Sequence, residues 1–212
     1  SVSRKITNLG WNVFANKGFL SEYRRGKQVA SIDLRKCTAL QGSHNHQNAC
    51  AAYAAVRTLG VGQRSVEKAL KSFRGLPHRS QLVTEIDGVV FINDSKATNV
   101  DSAIKALETF SKVHWICGGE QKENDISRLN NALANVKKAY VIGTDTANFS
   151  SQISCEFEIS NTMDKAVKNA FKDAKDGETI LLSPAAASFD QYSSFEERGK
   201  AFEHEITKLT KY

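Results

Sequence analysis

The sequence predicts an α/β protein built on a mostly parallel sheet with helices on both faces. Three observations carry this. From residue 81 onward, short apolar runs alternate with helix-patterned stretches of about 10–15 residues, the rhythm of a parallel sheet. Polar or small-residue loops recur where those runs give way to helices, and the carboxyl ends of parallel strands are where such sheets bind ligands. A Gly/Pro stretch, Arg74-Gly75-Leu76-Pro77-His78-Arg79, separates this part from a preceding one that lacks the rhythm.

The bulk numbers exclude several classes. At 212 residues the chain holds one large domain or two small ones. Its net charge of +6 is spread along helices among acids, with no basic cluster beyond Arg24-Arg25 and Lys137-Lys138, so nucleic acid is not an expected partner. No apolar run approaches the ~18 residues that suggest a membrane span, and no signal peptide opens the chain. The four cysteines (Cys37, Cys50, Cys117 and Cys155) form no C-x-x-C pair, which suits a reduced, cytoplasmic protein. The histidines show no metal-ligand spacing. The chain starts at Ser1 and its single methionine is Met163, so a piece of a longer protein is expected.

Taken in order, residues 1–42 show no helical period. Residues 11–20 roughly alternate and 28–34 alternate well, with Gly18 and Gly26 between, so short antiparallel strands at a sheet edge are expected. An alanine-rich helix follows at about 45–59, stopped by Gly60, and a second at about 65–73 with Val66, Ala69, Leu70 and Phe73 on one face. Asn45 and Asn48 suit helix capping. They equally suit a ligand that needs a donor and an acceptor together, as an adenine edge does. Arg79 reads as a surface charge or as a phosphate contact.

Gln81–Ile86 and Val89–Asn93 form two strands joined by Asp87-Gly88, a strong hairpin signal. A helix with Ala103, Ile104, Leu107 and Phe110 inward comes next. Strands are expected at 113–117, 139–142, 155–159 and 179–183. Helices are expected from about Asp125 with Ile126, Leu129 and Leu133 inward, briefly after Asp145, at 163–175, and at 195–209.

Three loops therefore meet at one end of the sheet: 94–99, 118–122 and 183–189. The first, Asp94-Ser95-Lys96-Ala97-Thr98-Asn99, is dense in polar groups; a capped turn with a surface ion pair would look similar. In the second, Gly118-Gly119 permits a sharp bend that exposes backbone N–H groups to an anion. In the third, small side chains let a ligand approach the backbone, Ser188 offers a hydroxyl, and Phe189 and Phe195 offer apolar walls. A tight strand-to-helix turn would use the same Pro and Ala. Neither a G-x-G-x-x-G nor a P-loop motif occurs. Lys122, Thr98 and Ser188 together suit a small carboxylated ligand.

Five motifs in order, over about 150 residues, resemble the Mur ligase family of bacterial peptidoglycan synthesis. They are Gly-x-His-Asn-x-x-Asn at 42–48, Gly-Leu-Pro-His-Arg at 75–79, Asn-Asp-Ser-Lys-Ala-Thr-Asn at 93–99, Gly-Gly-x-x-Lys at 118–122 and Leu-Ser-Pro-Ala-x-Ala-Ser-x-Asp-Gln at 182–191. The loop at 94–96 favours a resemblance to the branch that adds D-glutamate to UDP-N-acetylmuramoyl-L-alanine. Sibling Mur ligases and folylpolyglutamate synthase share the architecture but carry a histidine-containing motif where this chain has Asp94-Ser95-Lys96.

The resemblance implies that residues 1–75 are the truncated tail of a central ATPase domain. It implies that 76–212 are the Rossmann-like C-terminal domain that receives the amino acid. By motif position, Asn48 would meet adenine, Arg79 the phosphates and Asp94 the ribose, with Lys96 beside them. Thr98, Lys122, Ser188, Phe189 and Phe195 would meet D-glutamate. ATP and Mg2+ would be held mainly by a part absent from this chain, which has no match to the metal ligands. The implied partners are small molecules, namely D-glutamate, ATP and UDP-N-acetylmuramoyl-L-alanine, and the implied parent is a cytoplasmic monomer. The chain alone would be inactive. A non-catalytic ligand-binding or interaction module on the same fold is the alternative.

Overall fold

The computed structural model of the protein describes residues 10–209; residues 1–9, part of the expected first segment, and 210–212 lie outside it. The chain divides into two compact units, Ser1–Gly75 and Leu76–Tyr212.

In the first unit, β1 (Trp11–Asn16), β2 (Phe19–Arg24) and β3 (Lys27–Asp33) form an antiparallel sheet in the order β1-β2-β3. Among the described residues these strands form a three-stranded sheet of their own. The stretch 11–20 breaks in two because Lys17-Gly18 makes a tight turn. Lys17 and Gly18 have φ of 49° and 81°, and Arg25 and Gly26 have 49° and 77°. Two consecutive positive φ values match the twist of a two-residue hairpin, and glycine carries the second at no steric cost. Helix α1 (Ser43–Thr58) starts earlier than the asparagines suggested, with Gly42 at its cap, and α2 (Gln63–Ser72) follows. Leu20, Ile32, Leu34, Cys50, Tyr53 and Val66 are among the side chains of this unit's core.

The second unit is a six-stranded sheet flanked by helices. Its strands are β4 (Gln81–Ile86), β5 (Val89–Asn93), β6 (Val113–Gly118), β7 (Val136–Ile142), β8 (Phe157–Asn161) and β9 (Thr179–Leu182), ordered β4-β5-β9-β6-β7-β8. All neighbours are parallel except β4, which pairs with β5 as a hairpin through Asp87 (φ 50°) and Gly88 (φ 74°). The helices are α3 (Val100–Thr109), α4 (Thr146–Ser150), α5 (Met163–Asp173) and α6 (Phe195–Leu209). Alternate strand residues feed two separate cores. Ile92, Trp115, Val141 and Leu181 pack with residues of α3 and α4 on one face. Phe91, Ile116, Tyr140 and Ile180 pack with α5 and α6 on the other. The expected α/β class, a mostly parallel sheet covered on both faces, is the one observed.

One expected helix is different. Residues Ser127–Asn135 form a 3-10 helix rather than an α-helix. Ile126, Leu129 and Ala132 recur every third residue and are buried, which matches three residues per turn. Asn130 also bonds to the segment 152–154, accepting from Ser154 N–H (2.8 Å) and donating to the Gln152 carbonyl (3.1 Å). Such side-chain bonds compete with a regular helix.

Candidate functional site

The strand order decides what meets at the carboxyl end of the sheet. β9, last in sequence, inserts between β5 and β6, with Leu182 opposite both Asn93 and Ile116. The loops 94–99, 183–189 and 118–122 thus follow three adjacent strands.

Their polar groups are tied to one another. Asp94 is buried. Its Oδ1 accepts from Ser80 N–H (2.9 Å) and its Oδ2 from the Ser183 hydroxyl (3.1 Å). Burial pushes this carboxyl up to about 6, against the opposing hydrogen bonds of Ser80 and Ser183 and the charge of Arg79. Arg79 itself is exposed. Lys96 is half-buried, with Nζ 3.7 Å from the centroid of the Phe195 ring. The Phe195 ring also stands edge-on to His78, centroids 6.3 Å apart. Thr98 is half-buried, Ser188 is 2 % exposed, Lys122 is exposed and Phe189 is 68 % exposed. Asn48 lies in the first unit, on an exposed position of α1.

The structure therefore joins Lys96 with Phe195, and ties Asp94 to Ser80, the residue after Arg79. It gives Lys122 and Phe189 no side-chain bond of this kind. One expectation is narrowed. Gly118 and Gly119 do bend the chain, at φ of 105° and 127°, and the bend serves close packing, with the Gly118 amide spent inside the protein. A Cβ at Gly118 would collide with the Ile142 carbonyl, and one at Gly119 with the Ala187 carbonyl. The Gly118 N–H donates to Pro184 O (2.9 Å), and Glu120 exchanges two hydrogen bonds with Ala187 (3.1 and 2.8 Å). The Gly118 and Glu120 amides are thus already used.

The residue that organises the loops was missed from sequence. Arg198, 1 % exposed, donates through Nε to Ser95 Oγ (3.1 Å) and through Nη2 to Ser95 O (3.0 Å) and Ala186 O (3.1 Å). Its Nη1 donates to Ala187 O (3.0 Å). Burial pulls this guanidinium down to about 10. It is a buried cation held by neutral acceptors, and it clamps loop 94–99 to loop 183–189. His78 and Asn93 were missed as well. The Asn93 amide nitrogen lies within hydrogen-bond distance of His78 Nδ1 (2.9 Å), Gly199 O (3.1 Å) and Glu203 Oε1 (2.9 Å), and Asn93 Oδ1 accepts from Ser95 N–H (3.1 Å). A signal for Arg198 was present. Phe195, Arg198, Gly199, Phe202 and Ile206 share one helical face, so a charge and a glycine interrupt an apolar stripe. Gly199 is required there because a Cβ would run into the His78 ring.

The family model of the Mur ligase glutamate ligase domain matches residues 78–186, just over half of the chain. The chain belongs to the Mur ligase family. Among curated proteins, a UDP-N-acetylmuramoylalanine–D-glutamate ligase from Ruegeria pomeroyi is 58% identical over 208 residues, 98% of this chain and 45% of that protein. A protein of the same name from Roseobacter denitrificans is 57% identical over the same shares. The chain thus spans under half the length of these relatives. Solved Mur ligase folds agree in architecture. A UDP-N-acetylmuramate–alanine ligase from Thermotoga maritima superposes with a TM-score of 0.63 at 17% identity, covering 91% of this chain and 44% of that one. A pseudomurein peptide ligase type C from Methanothermus fervidus reaches 0.67 at 17% identity, covering 94% and 42%.

Among the described residues, no group of three His, Cys, Asp or Glu side chains could hold a metal ion, and no helix is long and apolar enough to cross a membrane.

Proposed function

We propose that this chain is the C-terminal part of a cytoplasmic, ATP-dependent ligase that adds D-glutamate to UDP-N-acetylmuramoyl-L-alanine. The observation that carries the reading is the 58% identity, over almost the whole chain, to a relative of that name. On this reading residues 1–75 are the tail of the central ATP-binding domain, and 76–212 are the domain that receives the amino acid.

In such a ligase ATP phosphorylates the alanyl carboxylate. The amine of D-glutamate then attacks the acyl phosphate, the new amide forms, and phosphate leaves. The part played by this chain is positioning and charge stabilisation. Arg79 and Lys96 are cations suited to phosphate, since Arg79 is exposed and Lys96 has an ammonium held by a ring instead of a carboxylate. Asp94 accepts from the ribose in this scheme, and Asn48 pairs with the base. Lys122, Thr98 and Ser188 take the carboxylates of D-glutamate beside Phe189 and Phe195. Mg2+ supplies charge neutralisation at the phosphates when bound, and no residue described here is assigned to it. The chain alone is expected to be inactive, and the parent a monomer.

The test is phosphate release with ATP, Mg2+, UDP-N-acetylmuramoyl-L-alanine and D-glutamate, run on the full-length enzyme and on the 212-residue chain. D-glutamate-dependent release by the former and none by the latter is expected. A full-length protein indifferent to D-glutamate would sink the substrate assignment. If the 212-residue chain also ignores D-glutamate and ADP in binding assays, the non-catalytic module becomes the better reading.

A further inference from the structure

The Lys96–Phe195 contact joins the residue sets that the proposed function keeps apart, one for the nucleotide and one for the amino acid. The ammonium lies 3.7 Å from the ring centroid, within the range of an energetic cation–π contact. The ring is fixed from several sides. It makes a T-shaped pair with the His78 ring, the Phe195 carbonyl accepts from the Ser95 hydroxyl at 2.8 Å, and Arg198, one helical turn on, is bonded to that same Ser95. The Lys96 N–H donates to the His78 carbonyl at 3.0 Å. Loop 94–97, His78 and the start of α6 are thus one connected body.

The neighbouring charges do not compete for Lys96. Asp94, two residues away, has both oxygens engaged by Ser80 and Ser183. Within the second unit, no described carboxylate forms an ion pair with Lys96. A half-buried lysine over a ring keeps its full charge for an incoming anion, since a ring face orients a cation without neutralising it.

We infer that Phe195 is a positioning residue for the phosphate-bearing ligand: its ring holds the Lys96 ammonium ready for that anion, rather than serving only as an apolar wall for the amino acid. This rests on the proposed ligase function. It makes the two ligand sites share one side-chain pair, so substitutions meant for one site are felt at the other.

The test is a double-mutant cycle in the full-length enzyme, following the Michaelis constants for ATP and D-glutamate by phosphate release. Phe195→Leu keeps apolar bulk and removes the ring face. It is expected to raise the ATP constant about fivefold, the scale of a partly desolvated cation–π contact, and more than it raises the D-glutamate constant. Phe195→Tyr restores most of the loss. In a Lys96→Met background, Phe195→Leu has no further effect on ATP. An ATP constant unchanged in Phe195→Leu, or effects that add in the double variant, would overturn the inference. Thermal unfolding of each variant separates misfolding from lost positioning, and Phe195→Tyr tests the inference even where Phe195→Leu fails to fold. A wild-type enzyme that does not respond to D-glutamate would instead refute the functional reading, and this inference with it.

Discussion

Arg198 Nη2 donates to the Ser95 carbonyl at 3.0 Å across 103 residues of sequence, and its Nε reaches the hydroxyl of the same serine at 3.1 Å. One buried guanidinium holds loops 94–99 and 183–189 in register.

Replacing it with methionine keeps apolar volume and leaves the carbonyls of Ser95 and Ala186 without this donor, while Ala187 O keeps its bond from Glu120 N–H. Each unsatisfied buried acceptor costs about 1–3 kcal/mol. Arg198→Met is expected to cost the second unit at least about 2 kcal/mol, read from urea denaturation. Arg198→Lys should recover little, because an ammonium cannot reproduce the planar fork. A loss under about 1 kcal/mol would show that the loops hold without the clamp.

Asp94 should make the second unit less stable as pH rises. Its carboxyl is raised from 3.8 to about 6 in the folded protein, by burial. Between those values the folded state retains a proton that the unfolded state has released, so stability falls across that window and levels off above it. Asp94→Asn removes this dependence. Relative to wild type, the variant should gain up to about 3 kcal/mol on going from pH 3 to pH 7, measured by denaturation at each pH. Parallel profiles would refute this.

Glu22 should act in the opposite sense in the first unit. Its side chain is fully buried and accepts from Trp11 Nε1 (2.9 Å), Arg24 Nε (2.8 Å), Tyr53 OH (2.7 Å) and Arg57 Nε (3.2 Å). Burial pushes the carboxyl up, and the bonds from Tyr53, Arg24, Arg57 and Trp11 outweigh it, bringing it from 4.5 to about 2. The resulting stability is complete above 4.5 and is lost as pH falls through 2. Glu22→Gln should cost about 3 kcal/mol at pH 7. Amide exchange of β2 and α1, compared at pH 7 and pH 3, reads it. Equal protection in variant and wild type at pH 7 would rule it out.

Lys122 is exposed at the end of the 118–122 loop. In the full-length enzyme, Lys122→Ala should raise the Michaelis constant for D-glutamate at least about tenfold, the scale of one charge-assisted hydrogen bond, and leave that for ATP nearly unchanged. Equal effects on both would remove Lys122 from the amino-acid site.

The 3-10 segment shows how far a local pattern reaches. Ile126, Leu129 and Leu133 suggest an α-helix, yet Ala132 is buried too and Asn130 bonds elsewhere, so competing side-chain bonds decide the winding. Gly118-Gly119 was legible as a bend. That the Gly118 amide is spent on Pro184 and the next-but-one amide, of Glu120, on Ala187 was not, because those partners arrive only when β9 inserts beside β6.

By itself the sequence determined the alternation of strands and helices, the hairpin at Asp87-Gly88, the motif order that marks a Mur ligase, and which loops are polar. Each of these depends on side-chain period or turn chemistry within about ten residues. The tertiary structure alone decided that Arg198 is a buried clamp, that Asp94 turns inward to Ser80 and Ser183, and that Lys96 rests on Phe195. A buried charge is stable only where distant groups desolvate and satisfy it together, and those groups come from loops that chain order keeps about a hundred residues apart.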